Sequence, residues 1–154
     1  MRHATTVSGL GGYAVVAVAL VLGLGRAGAA QVVVSGSPAP MRVQTAVAGS
    51  VPLAVADNST SYVYTGGGHN QKIVAQLSAP MPTGVTLQLT MVAPSGASSI
   101  PNVTLDATAR DVVTSIPNKQ TTALQITYTL TATLAAGVVA QQTRTVTLTI
   151  VSGP

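Results

Sequence analysis

The sequence predicts an all-β chain, an antiparallel β-sandwich of about seven to nine strands that follows an N-terminal signal peptide. Three observations carry this. From Met41 onward apolar residues alternate with polar ones, the period of a pleated strand with one face in a core. Turn clusters such as Gly66-Gly67-Gly68, Ala79–Gly84 and Pro94–Ser99 interrupt the alternation at roughly 8 to 15 residue intervals. No segment beyond the N-terminus shows a helical period.

The elements follow in order. Arg2 and His3 make a short basic start, Tyr13 to Leu24 is apolar, and Gly25 to Ala30 is small apart from Arg26. That succession is the one signal peptidase reads, and it predicts cleavage after Ala29 or Ala30. The apolar run is about 12 residues, short of the ~20 that a permanent span requires. The expectation is therefore a secreted or cell-surface protein that meets the membrane only during export. The organisation expected is a signal peptide over 1–30, an extended segment over 31–48 and a sandwich domain over 49–154.

Within the extended segment, Gln31 to Val34 reads as a short strand and Ser35 to Pro40 as a linker, because two prolines and a glycine do not suit a central strand. Val32, Val33, Val34, Val43 and Val47 are its candidate assembly residues. They are expected to pair with a neighbouring subunit and to be dispensable for this chain's own core. The competing reading makes the segment the first strand of its own sandwich.

Val43 to Val55 alternates loosely. Ser61–Tyr64, Lys72–Leu77 and Val85–Met91 read as strands, the last alternating cleanly. Val103, Leu105 and Ala107 mark another, and Val112–Ile116 a short one. The clearest runs come last. Leu124, Ile126, Tyr128, Leu130, Ala132 and Leu134 alternate with threonines and Gln125, and Val146, Leu148 and Ile150 alternate with Thr145, Thr147 and Thr149. A short Gly-containing connection joins them, so an antiparallel hairpin is expected.

Composition narrows function. Of 154 residues only 6% are charged, against about 25% in an average soluble domain, and Glu, Phe, Trp and Cys are absent. A neutral, hydroxyl-rich surface discourages association poorly, so self-association is expected. Outside the signal peptide the basic residues Arg42, Lys72, Arg110, Lys119 and Arg144 stand singly. Nucleic-acid binding wants basic clusters and aromatic platforms, so it is not expected.

Catalysis needs positioned ionisable groups, and beyond the signal peptide the chain offers His69, Asp57, Asp106 and Asp111. No serine sits in a G-x-S-x-G elbow. The reading is non-enzymatic, with no cofactor and no metal. Calcium at Asp106 and Asp111 is weakened by Arg110 beside them. Threonine rows on the last two runs resemble the chemistry of water-ordering surfaces, but Thr is also simply a good exposed strand residue. A monomeric binding module for a glycan, a surface or a protein is the alternative reading. Its candidate contacts are His69 and Asn70 in the glycine loop, with Tyr62 and Tyr64 beside it.

The blocks Asn102–Ile116, Ile126–Ala132 and Arg144–Ile150 resemble sequences that recur in small exported bacterial proteins. They are similar in style to subunits of bacterial surface filaments built on Ig-like sandwiches. The resemblance covers roughly the last fifty residues and lacks the cysteine pair of chaperone-usher pilins. It implies an Ig-like antiparallel sandwich, a structural role in a filament and assembly by β-strand exchange.

Overall fold

The computed structural model describes residues 14–17, 30–43 and 50–153. Val47 and the small residues Ala27 and Ala29 at the expected cleavage site lie outside them. Among the described residues ten strands follow in order: β1 (Ala14–Ala17), β2 (Gln31–Ser35), β3 (Val55–Thr65), β4 (Gln71–Leu77), β5 (Val85–Met91), β6 (Ser98–Ser99), β7 (Val103–Thr104), β8 (Arg110–Ile116), β9 (Leu124–Ala132) and β10 (Gln142–Ser152). One sheet has the order β1-β10-β4-β8-β6 and the other β2-β3-β9-β5-β7. All pairings are antiparallel except that of β1 with β10. The expected antiparallel sandwich is what the chain forms.

Alternation builds the core. Leu87, Leu89 and Met91 of β5, Ile126, Tyr128 and Leu130 of β9, and Ile73, Ala75 and Leu77 of β4 are all buried in one cluster with Val146 and Leu148 of β10. The intervening Thr86, Gln88, Thr90, Thr127 and Thr129 are half-exposed on the outer face. Two alternating sets facing each other give a sandwich core, and burying them drives folding at roughly 25 cal/mol per Å².

Strand connectivity departs from the expected hairpin. β9 lies between β3 and β5, whereas β10 lies in the opposite sheet beside β4. From β3 to β10 every connection passes from one sheet to the other. After β9, Thr133 N donates to Gly84 O, and a 3-10 turn over Leu134–Ala136 carries the chain across. Period-two alternation reports which face of a strand is buried. It does not report which sheet the strand joins.

Two strands differ in extent from expectation. β3 is eleven residues long, not the four of Ser61–Tyr64. Its register against β9 shifts between Asp57 and Thr60. Val55 and Asp57 pair with Leu130 and Tyr128, then Thr60, Tyr62 and Tyr64 take the inward positions. The bulge changes the inward residues from odd to even, which breaks the period and hides the first half of the strand. Asp57 accepts hydrogen bonds from Ser59 N and Ser59 Oγ across the bulge, at 3.2 and 2.7 Å. The strand expected over Val103–Ala107 is only Val103–Thr104, although Leu105 is buried, and no strand covers residues 50–54.

Candidate functional site

The N-terminal segment lies against its own chain. Gln31–Ser35 pairs with Ser61–Thr65 over five residues, and Val32 faces Tyr64 in the core. Val33 is half-exposed opposite Val63, and Val34 and Val43 pack partly buried on the core. Met41 is buried outright, and so is Pro38. Between them Asp57 Oδ2 accepts from Ala39 N at 3.2 Å, and Ser59 Oγ donates to Ser37 O at 3.2 Å. The stretch read as a linker is thus clamped onto the β3 bulge. Residues 31–43 thus fill part of this chain's own core, against the expectation that 31–48 is not needed for it, and residues 44–48 lie outside the described residues. The reason is that the Tyr62–Tyr64 half of β3 has an apolar inward face that needs a neighbour beyond it, and β2 supplies one.

The loop candidates separate. Tyr62 and Tyr64 are fully buried, which corrects their reading as contacts. Each hydroxyl is used internally, Tyr62 donating to Val92 O and Tyr64 to Gln71 Oε1. Burial pushes both phenols up from their ordinary pKa. His69 and Asn70 are exposed in the turn between β3 and β4. That turn is stitched at both ends: Gly66 N donates to Lys119 O, and Gly153 N donates to Asn70 O. Asn70 adopts φ 53°, a left-handed conformation that asparagine tolerates.

The three carboxylates also serve the fold. Asp57 holds the bulge. Asp106 accepts from Arg110 Nη2 at 2.6 Å and from Thr108 N at 2.7 Å. The Arg110 hydrogen bond, then that of Thr108, holds the Asp106 carboxyl below its usual range. Asp111 pairs with Lys72 at 3.0 Å. Asp106 and Asp111, weighed for calcium, each face a cation instead. Among the described residues no group of three His, Cys, Asp or Glu side chains could hold a metal. The threonine rows divide as well, because β9 and β10 lie in different sheets. The β9 row continues on β5, where Thr131 faces Thr86, Thr129 faces Gln88 and Thr127 faces Thr90.

The sheet edges remain. β6 and β7 each end a sheet with two residues, and β2 ends one with five. At the fourth edge stands the four-residue β1, and inside it β10 runs eleven residues and pairs with β4 over seven consecutive residues without a register shift. Among the described residues, β1 covers the outer side of β10 from Gln142 to Thr145. Ser78 N donates to Thr145 O, so Thr145, Thr147 and Thr149 turn their backbone groups toward β4. Val146, Leu148 and Ile150 therefore turn theirs outward. Sequence reasoning recognised this strand but missed that, among the described residues, its outer side is covered over four residues alone. The signal available was its length with neither proline nor glycine and with Arg144 as its only charge.

No family model, no curated protein and no solved structure matches the chain significantly.

Proposed function

We propose that this chain is a non-enzymatic structural protein, secreted or held at the cell surface, whose copies associate by main-chain pairing along strand edges. The observation that carries the reading is β10, an eleven-residue edge with one charge whose outer side is covered over four residues by β1. Unpaired edges of that length recruit other strands unless charge, proline or a bulge prevents it. The poorly charged surface supports the same reading. Edge addition fits the geometry better than donation of residues 31–48, because donation would take Val32 and Met41 out of the chain's own core. Sedimentation and electron microscopy of chain 30–154 test this. Concentration-dependent oligomers or filaments are expected, and a protein monomeric at millimolar concentration would overturn the proposal.

A second reading, a monomeric binding module, is favoured by one observation. Val51, Leu53, Leu134 and Val138 stand exposed in the segments before β3 and after β9. Val55 pairs with Leu130, so those segments leave the same end of the sandwich. A protein monomeric in that test, whose ligand binding is lost in Leu53→Ser and Val138→Ser, would establish this reading instead.

A further inference from the structure

We infer that the outer edge of β10 is a self-association surface whose partner is β10 of a second copy, paired antiparallel about a two-fold axis, and that residues 14–17 cover part of it until they are removed. This rests on the proposal that copies associate through strand edges, and it names the edge, the partner and the register.

The four sheet edges are not equivalent. Shortness blunts β6 and β7, as natural sheets commonly do, and β2 runs after five residues into Gly36 at φ 85° and the buried Pro38. β10 has none of these protections. The β3–β9 and β4–β8 pairings both contain register shifts, whereas β10 against β4 contains none. Its one charge, Arg144, is tied back onto its own chain, donating to Pro80 O, Thr143 O and Gln142 Oε1. Cover comes from Ala14–Ala17, in parallel register with Gln142–Thr145, and these residues lie inside the segment that reads as a signal peptide. That pairing also demonstrates that the outward backbone groups of β10 accept a strand. Loss of the leader leaves Gln142–Ser152 as one continuous edge.

A second β10 fits this edge without rearrangement in either copy. Moving Gln31–Ser35 onto it would first break the five pairs that segment makes with β3. Full antiparallel overlap sets Thr147 against Thr147 of the second copy, Thr145 against Thr149 and Arg144 against Ile150, so like charges do not meet. The backbone groups of Thr147 face β4, so the pair on the axis is a non-hydrogen-bonded one, with Cα atoms about 4.5 Å apart and side chains adjacent. Such an interface is isologous and closes on itself as a dimer.

The test uses chain 30–154, which keeps every core residue among those described, from Val32 to Leu148. The chain has no cysteine, so Thr147→Cys introduces a single thiol. The expected Cα separation suits a disulfide, and mild oxidation should give a covalent dimer. Thr127→Cys, on the outer face of the central strand β9, should not. Thr147→Lys and Thr147→Glu should each lose self-association while keeping the circular dichroism of the parent. A one-to-one mixture of the two should regain it. Self-association untouched by Thr147→Lys and Thr147→Glu would overturn the β10 assignment and leave the broader reading standing. Loss of association in the parent chain itself would remove both. If full-length 1–154 cross-links through Thr147→Cys as fast as 30–154 does, the covering role of residues 14–17 falls.

Discussion

At the scale of single residues, the three tyrosines of the core have different standing despite equal burial. Tyr62 Oη donates to Val92 O, whereas Tyr128 Oη and the buried Thr60 Oγ1 have no hydrogen-bond partner among the described residues. Removing a satisfied hydroxyl strands its acceptor, while removing an unsatisfied one relieves a desolvated group. Tyr62→Phe is expected to destabilise by about 1 kcal/mol. Tyr128→Phe and Thr60→Val are expected to be neutral or stabilising, by up to about 1 kcal/mol each. Urea denaturation of the three variants checks this, and equal losses would show that the Tyr128 and Thr60 hydroxyls are satisfied. Leu130 and Thr129 give a second contrast. Leu130 is buried between the sheets and Thr129 lies on the outer face. Leu130→Ala should cost about 2–5 kcal/mol and Thr129→Ala less than about 0.5 kcal/mol.

At the scale of elements, the β3 bulge is the joint between the N-terminal segment and the sandwich. Asp57 supports it from three donors: Ala39 N, Ser59 N and Ser59 Oγ. Asp57→Ala should destabilise by about 1–3 kcal/mol and speed amide exchange in residues 36–41 before it affects β9. Exchange mass spectrometry reads both, and uniform acceleration across the chain would show that the clamp is not local. The same bulge marks the limit of what the sequence reveals. β4, β5, β9 and β10 were legible because each keeps one period from end to end. Residues 55–60 were not, because the inward phase changes within the strand. The fate of Tyr62 and Tyr64 was half legible: their alternation with Ser61 and Val63 is plain, but only the strand on their far side decides whether that face is covered. His69 and Asn70 were legible as an exposed turn. The β10 edge was not, because a strand's neighbours are set by long-range connections that leave no local mark.

At the scale of the molecule, those connections define the fold. Every link from β3 to β10 changes sheet, so little of the structure forms from chain neighbours alone. Loop closure must precede almost every favourable contact, and folding should take milliseconds to seconds, in the slow range of small domains. Stopped-flow refolding of chain 30–154 measures this, and microsecond folding would contradict the topology described. One further property follows from register. Gln31 pairs with Thr65 and Ser152 pairs with Gln71, and the Gly66–Asn70 turn joins those two partners. Residues 31 and 152 therefore stand at the same end of the sandwich, one on each sheet. Tension applied through these two points would part their ladders one hydrogen bond at a time, like a zipper, instead of shearing many bonds together. A chain with this geometry resists a steady pull poorly along that line. Force applied across a sheet, perpendicular to its strands, would instead load the backbone bonds of an edge together.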